Sequence, residues 1–370
     1  MIRCKINLLV LLFIMCLHLN LYAKESIAIS DIKLKKMIGQ MLIIGFEESV
    51  INEHSPIVNY IEKYNIGGVI LFDRFYKDRA KIKNIESPKQ LQLLTSKLQS
   101  YSKNKLIISI DQEGGKVQRL KSSYGFDSTP SAKEISKKNL TQAKKSYTTL
   151  AQMLYQNGIN CNFAPVVDLS INKNNPVIEG LERSYGETPQ VVTNYATVFI
   201  EALNSQNILS VLKHFPGHGS SKDDSHKGFV DVTDTWNKIE LEPYKTLIKN
   251  SKAKMIMTAH VFNKHLDPIY PATLSYKVNT KLLREELNFQ GVIVSDDLQM
   301  KAISKHYSLK DTVTLVINAG VDILLFGNQL SSQDIDQLID IIYSQVKNGS
   351  ISYERILESN QRIEKLKRQI

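Results

Sequence analysis

Short apolar runs rich in β-branched residues recur along the chain, and longer polar stretches separate them. Each run is nearly continuous in apolar character instead of alternating between apolar and polar positions. This is the pattern of a strand buried on both faces, as in a parallel sheet. The pattern predicts eight buried strands, in the runs MLIIGF (41–46), GGVILF (67–72), LIISID (106–111), CNFAPVVDL (161–169), LSVLKHF (209–215), KMIMTAH (254–260), GVIVSDD (291–297) and VDILLFG (321–327).

The stretches between the runs carry the start signals and the spacing of amphipathic helices. Ser87, Thr188 and Ser308 each occupy an N-cap position, the first two are followed by proline, and apolar residues then recur at helical intervals. A strand followed by a helix, repeated without a Pro/Gly/Ser-rich linker, predicts an α/β fold: a single (β/α)8 TIM barrel domain over residues 24–370. A doubly wound open sheet is the alternative, but such a sheet usually has fewer strands.

The apolar runs end in polar residues. In a (β/α)8 barrel the loops that follow the strands build the active site, so functional residues collect at the carboxyl ends of the strands. One charged strand end is commonly a cap or an ion pair, but several ends with the same pattern are hard to explain by packing. We therefore predict a site built from these ends: Asp111, Asp168, Lys213, His214, His260 and Asp296.

The segment LKHFPGHGSSKDDSH (212–226) concentrates chemistry at the end of the fifth run. It contains three histidines, and one of them, His226, stands two residues after Asp224. A carboxylate so close can hold one imidazole nitrogen and leave the other to move a proton near neutral pH. A metal site is less favoured, because two glycines and a proline break the helix that would bring the histidines together. From this segment alone, an acid/base pair, a polar turn and a metal site all stay open.

Two further motifs place carboxylates where strands end. GVIVSDDLQM carries Asp296 and Asp297, and because side chains alternate along a strand, we expect only one of them to point into the barrel mouth. IDQEGGKVQRL carries Asp111 and, beyond a glycine turn, Arg119. Ionised Asp111 can accept hydrogen bonds from sugar hydroxyls, and Arg119 can donate to a hydroxyl or an acyl oxygen. An Asp–Arg pair that only braces the loop is the alternative for this motif.

Residues 1–23 have the pattern of a secretory signal peptide. Arg3 and Lys5 precede an apolar stretch that ends at Ala23. This stretch is short for a membrane anchor, so we predict an exported protein, periplasmic or secreted, without stable membrane insertion after cleavage. Removal of the signal leaves Cys161 as the sole cysteine, so no internal disulfide is expected.

The chain is basic, with a formal net charge of +10 that falls to +8 without Arg3 and Lys5. An exported basic protein meets anionic envelope polymers more readily than nucleic acid, so we predict no nucleic-acid partner. The lysines are scattered through amphipathic helices, where a solvated face is the default interpretation. We expect a monomer.

The motifs together resemble those of family 3 glycoside hydrolases, of the single-barrel β-N-acetylglucosaminidase (β-hexosaminidase) type. Several are long and rare, and they run in family order over most of the chain. One departure is local: members of this subgroup tend to read IGDRSFG where this chain has VIEGLERSYG, so the geometry of Arg183 is less secure than that of the strand ends. The matching segments are IGQMLIIGF, GGVILF, DQEGGKVQRL, NFAPVVDL, ERSYG, KHFPGHG with DSH, MTAHV, PATLS, VSDDLQM and GSISYERI.

The resemblance implies a role for each matching position. Asp296, the first aspartate of SDDL, matches the nucleophile, and Asp224 with His226 matches the dyad that serves as general acid/base. His218 is expected only to shape the loop. We predict no metal and no organic cofactor, because the three histidines of the 212–226 segment already have another use. The positions that match the binding site for the non-reducing-end sugar are Asp111, Arg119, Arg183, Lys213 and His214.

The implied reaction is exo-hydrolysis of terminal N-acetylglucosamine with retention of configuration, through a covalent glycosyl-enzyme. Export makes peptidoglycan fragments the expected substrate, with chitin oligosaccharides and host glycans as alternatives. A histidine acid/base does not repel anions, so phosphorolysis is a variant of the same chemistry. Three different functions stay open: a β-glucosidase or β-xylosidase on this scaffold, a Schiff-base enzyme using Lys213, and a barrel that only binds glycan.

Overall fold

The computed structural model describes residues 31–225 and 227–370 of the chain. The predicted signal peptide, residues 1–23, and His226 lie outside the described residues. Within the described residues, no helix has the length and apolar character needed to cross a bilayer.

Eight parallel strands form a ring, which confirms the predicted (β/α)8 barrel. Neighbours in the sheet follow the order β8-β1-β2-β3-β4-β5-β6-β7. A parallel bridge between Val294 and Ile323 joins the two ends of this order and closes the ring. The strands are β1 Leu42–Gly45, β2 Gly68–Leu71, β3 Ile107–Ile110, β4 Cys161–Asn162, β5 Leu209–Phe215, β6 Met255–Thr258, β7 Val292–Ser295 and β8 Leu324–Phe326.

Helices cover the outside of the ring, and a short parallel pair, Val230–Asp231 with Val261–Phe262, lies in the loops after β5 and β6. The segment Lys277–Glu286 is π-helical. The α-helices are α1 Asp31–Gln40, α2 Pro56–Tyr64, α3 Pro88–Tyr101, α4 Ala132–Ile135, α5 Leu140–Gln156, α6 Pro189–Asn204, α7 Glu242–Lys249, α8 Lys301–Ser304, α9 Leu309–Asn318, α10 Ile335–Lys347 and α11 Tyr353–Lys367.

The predicted helix starts are confirmed. The Ser87 hydroxyl accepts a hydrogen bond from the Gln90 backbone N–H at 3.3 Å, and the Ser308 hydroxyl accepts one from the Asp311 N–H at 3.1 Å. Thr188 precedes α6 without a side-chain cap, and Pro189 occupies the first helical position.

The fourth predicted run is longer than the strand that it forms. Only Cys161–Asn162 pairs regularly with both neighbours, because Pro165 lacks the N–H that a ladder needs. The rest of the run stays buried and rejoins β5 at a single bridge between Val166 and Lys213. The chain thereby carries Asp168 beneath the loop that follows β5.

The opposite end of the barrel is fastened by Asp322, a fully buried carboxylate just before β8. It accepts hydrogen bonds from Arg284, from Arg355 at 2.7 Å and from Arg362 at 3.2 Å. Burial alone would raise the pKa of Asp322, but the three guanidinium groups outweigh it and hold the pKa below its usual value. Since Arg355 and Arg362 belong to α11, this cluster ties the last helix to the ring.

Candidate active site

A cavity of about 310 Å³ lies at the carboxyl ends of the strands, where the barrel geometry predicted a site. Of the eight residues assigned from the sequence, Asp224 is not in its wall and His226 lies outside the described residues. The six that line this one cavity are Asp111, Arg119, Arg183, Lys213, His214 and Asp296.

The floor of the cavity is a chain of ion pairs. Lys213 Nζ donates to Asp111 Oδ1 at 2.8 Å and lies 2.7 Å from Glu113 Oε1. Arg183 holds the same Glu113 carboxylate with two hydrogen bonds, each 2.8 Å long. Arg119 reaches Asp111 Oδ2 at 3.4 Å. Four of the five predicted sugar-binding residues are thus linked to one another, and Glu113 connects Arg183 with Lys213.

The charges on this floor are fixed by their neighbours. Burial would raise the pKa of Asp111 and of Glu113, but the cations beside them outweigh it and hold both values below the usual range. Burial would likewise lower the pKa of Lys213, yet Asp111 and Glu113 raise it. A lysine held as an ammonium cannot attack a carbonyl, so the electrostatics disfavour the Schiff-base alternative.

His214 is oriented by Asp168, a carboxylate that is 1% exposed. Its Nδ1 lies 2.7 Å from Asp168 Oδ2, and Arg183 Nη2 lies 3.2 Å from its Nε2. Because a guanidinium can only donate, Nε2 is the acceptor and the ring proton is on Nδ1. Asp168 also accepts the backbone N–H of His218 at 2.8 Å. One buried carboxylate therefore sets both the His214 ring and the start of the following loop.

Asp296 and Asp297 leave β7 together, and both reach the cavity wall. Asp296 Oδ1 accepts the Asp297 backbone N–H at 2.8 Å. Asp297 Oδ1 accepts the backbone N–H groups of Gln299 at 3.0 Å and Gly327 at 3.2 Å. The expectation that only one of the pair faces the mouth fails, because β7 ends at Ser295 and strict alternation stops there. The backbone bonds of Asp297 mark it as the structural member of the pair.

His260, one of the polar strand ends, lies behind the wall. Its Nδ1 is 2.8 Å from Thr273 Oγ1, and its Nε2 is 2.9 Å from the carbonyl oxygen of Asp297. The ring therefore supports the turn that carries Asp296 and Asp297. Among the described residues, no group of three or more histidine, cysteine, aspartate or glutamate side chains is arranged to hold a metal ion.

The loop after β5 begins with a buried segment that hydrogen bonds hold in place. Asn175 Nδ2 donates to the carbonyl oxygen of His218 at 2.8 Å and to Ser221 Oγ at 3.1 Å. Gly219 packs so tightly against the Leu169 carbonyl oxygen that a Cβ there would meet it at 1.9 Å. Beyond this buried segment the chain continues through exposed residues to Asp224, which is half-buried.

Glu240 also holds this buried loop segment in place. Its Oε2 accepts the Gly219 backbone N–H at 2.9 Å, while its Oε1 is buried without a hydrogen-bond partner among the described residues. Burial raises the pKa of Glu240 from the ordinary 4.5 to about 7. The folded protein therefore holds a proton here that the unfolded chain releases, so this carboxyl stabilises the fold below about pH 4.5 and loses that contribution as pH rises through 7.

We expect Glu240→Gln to remove this pH dependence. The variant should match the wild type in stability at pH 4.5 and exceed it by about 3 kcal/mol at pH 8, because the amide keeps an acceptor for Gly219 without a buried charge. Urea unfolding at the two pH values measures the difference. Glu242→Gln, which alters an exposed ion pair with Lys245, is the matched control. A Glu240→Gln curve parallel to the wild-type curve would contradict the prediction.

Sequence reasoning missed Glu113 and Glu240, and it gave Asp168 no role beyond that of a strand end. Glu113 lies in the DQEGG turn, two residues after Asp111, and that shared turn was the only available signal. Glu240 lies in a segment that has no motif. Arg183, whose position was the least secure in the sequence, lies in the cavity wall.

Comparisons with known proteins agree with this geometry. The profile described as "Glycosyl hydrolase family 3 N terminal domain" matches residues 33–366. Beta-hexosaminidase A of Pseudoalteromonas piscicida is 34% identical over an alignment of 372 positions that covers 90% of this chain and 60% of that protein. A beta-hexosaminidase of Haemophilus influenzae is 33% identical, over 74% of this chain and 76% of the relative.

A solved structure shares the fold. The glycoside hydrolase family 3 beta-N-acetylglucosaminidase from Paenibacillus sp. str. FPU-7 superposes with a TM-score of 0.81 at 32% identity, over 91% of this chain and 62% of that chain. The chain thus spans about three fifths of the longer relatives that it matches.

Proposed function

The chain belongs to glycoside hydrolase family 3, and from this premise we propose that it is an exo-acting, retaining β-N-acetylglucosaminidase. The observation that carries the proposal is the ion-paired floor of Asp111, Lys213, Glu113 and Arg183, in a cavity whose wall contains Asp296. The names of the relatives, beta-hexosaminidase and beta-N-acetylglucosaminidase, support the same activity.

The floor suits a terminal sugar because it offers an acceptor among several donors. Ionised Asp111 accepts from two hydroxyl groups, while Lys213 and Arg183 donate to sugar oxygens. Arg119 Nε is buried without a hydrogen-bond partner among the described residues. An oxygen of the bound sugar, in the cavity that Arg119 lines, supplies that partner and recovers the cost of burying the N–H.

In the first step of the proposed reaction, an Asp296 carboxylate oxygen attacks the anomeric carbon, and the bond to the leaving oxygen breaks. His226, oriented by Asp224, gives its proton to that oxygen. In the second step the same imidazole takes a proton from water, which attacks the anomeric carbon and releases Asp296. Two displacements restore the original configuration.

The natural substrate follows from the predicted export. A protein that carries a signal peptide meets glycans of the cell envelope, so peptidoglycan fragments with terminal N-acetylglucosamine are the proposed substrate. The positive net charge of the chain supports contact with an acidic polymer.

Turnover of paired chromogenic substrates tests the proposal. We expect the purified protein to release the chromophore from an aryl β-N-acetylglucosaminide at least roughly a hundredfold faster, in kcat/KM, than from the matching β-glucoside. The assay is repeated with phosphate, and a glycosyl phosphate product would indicate phosphorolysis. Equal or faster release from the glucoside would overturn the sugar assignment.

A further inference from the structure

His218 connects the buried first segment of the loop after β5 to Ser225, the residue that follows Asp224. Its imidazole is 4% exposed, and each ring nitrogen faces a serine of the same loop. Nδ1 lies 2.7 Å from Ser221 Oγ, and Nε2 lies 3.5 Å from Ser225 Oγ. The two serines bracket residues 222–224, and Ser225 stands between Asp224 and His226 in the chain.

The hydrogen bonds of Ser221 favour one tautomer of this ring. Ser221 Oγ can donate its one proton to a carbonyl oxygen, that of His218 at 3.0 Å or that of Asp223 at 3.5 Å, and it accepts from Asn175 Nδ2 at 3.1 Å. With that proton used, the bond to Nδ1 requires the ring to donate. Nε2 is then the bare nitrogen, and it accepts from the Ser225 hydroxyl. Burial, followed by the neighbouring His214, lowers the pKa of His218 to about 4, so the ring is neutral near pH 7.

The buried loop segment that contains His218 is held by two residues from other parts of the barrel. Asp168 Oδ1 accepts the His218 backbone N–H, and Glu240 Oε2 accepts the N–H of Gly219. Asp168 and Glu240 are each 1% exposed. The His218 imidazole therefore ties the position of Ser225 to Asp168 and Glu240, which lie outside the loop.

We propose that His218 is a positioning residue, whose Nδ1–H tautomer holds Ser225 and thereby sets the position of the neighbouring Asp224 relative to the cavity. This inference rests on the proposed function, since it assigns to His218 the placement of the acid/base pair and not a contact with the reacting bond. If Asp224 and His226 are not held in position, they protonate the leaving oxygen poorly. A leaving group that departs as a stable anion needs little protonation, so the defect should depend on the leaving group.

Two variants remove the contact between Nε2 and Ser225, one from each side. His218→Asn places an amide near the Nδ1 position and removes the contact with Ser225, and Ser225→Ala removes that contact from the other side. We expect each to lower kcat/KM on the order of tenfold or more for an alkyl or disaccharide β-N-acetylglucosaminide. For a dinitrophenyl glycoside the loss should stay below about threefold. The double variant should be no worse than the poorer single variant, because both changes remove one interaction.

Ser210→Ala is the control, since the Ser210 hydroxyl is buried on β5 without a hydrogen-bond partner among the described residues. It should leave both substrates unchanged. Equal losses on the two substrates, or additive losses in the double variant, would show a general structural role and overturn the inference. A wild-type protein inactive on both glycosides would instead overturn the proposed function.

A second measurement does not depend on catalysis. Nitrogen-15 spectra of histidine-labelled protein, with His218 assigned by comparison with the His218→Asn variant, report which ring nitrogen carries the proton. We expect the Nδ1–H form at neutral pH. An Nε2–H form or a charged ring would overturn the arrangement.

Discussion

Replacing Asp296 with alanine is expected to lower kcat roughly a thousandfold or more on an aryl β-N-acetylglucosaminide. Asp296 follows β7 and lines the cavity with the proposed sugar-binding residues, so its loss removes the group that would attack the anomeric carbon. Steady-state kinetics of the purified variant measures the effect. Folding should be retained, because the carboxylates that join the loops to the barrel are those of Asp297, Asp168 and Glu240.

The neighbouring aspartate provides the matched control. Asp297→Asn keeps an oxygen that can accept from the Gln299 and Gly327 backbone N–H groups, so it should cost far less than Asp296→Ala. Added azide should restore turnover of the Asp296→Ala variant with an activated aryl glycoside and yield the α-glycosyl azide, because a single displacement inverts the anomeric carbon. Full activity without Asp296, or a β-configured azide, would show that another residue is the nucleophile.

The second large effect is expected from Glu113→Gln, a change outside the cavity wall. Glu113 is 7% exposed and pairs with both Arg183 and Lys213. The neutral amide leaves two buried cations short of one negative charge and removes the paired acceptor that Arg183 needs. Breaking a buried pair of this kind destabilises the fold by about 4 kcal/mol. We also expect kcat/KM to fall on the order of a thousandfold, because Arg183 and Lys213 are no longer held in place to bind the sugar.

Glu187→Gln is the control for this substitution, because Glu187 pairs with Lys173 at the surface, where such a pair contributes little. Thermal unfolding of Glu113→Gln distinguishes loss of the fold from loss of the site. A folded variant with wild-type KM and kcat would mean that Arg183 and Lys213 do not act through Glu113. Because the pKa of Glu113 is held low by its cations, the wild type should not lose this interaction in mildly acidic buffer.

The barrel could be predicted from the sequence because each strand is marked by an apolar run in its own segment of the chain. Each of the eight apolar runs contains one strand of the ring, and proline and serine mark where helices begin. The limits also have local causes. The run after Cys161 predicts a long strand, but Pro165 interrupts the ladder. Beyond Ser295 the chain has left β7, so the alternation rule could not choose between Asp296 and Asp297.

The residues that organise the site were harder to predict, because their role comes from contacts distant in sequence. Glu113 meets Arg183 from 70 positions away, and Glu240 meets Gly219 across another loop. Neither contact leaves a periodic or motif signal in its own segment. Three of the groups proposed to act on the substrate, Asp111, Lys213 and Asp296, lie at strand ends, whereas Glu113 and Glu240, which hold other residues in place, are specified by tertiary packing.

The pairing of Leu42 with Leu324 has a consequence for how the protein is made. The first strand finds its second neighbour only when the last strand has been synthesised, so the nascent chain carries an open sheet edge for most of its translation. Parallel pairing over such a separation forms slowly, and an uncovered edge can pair with another chain. The Asp322 cluster adds to the delay, because two of its arginines lie in the final helix. We therefore expect incomplete chains to aggregate more readily than the finished barrel.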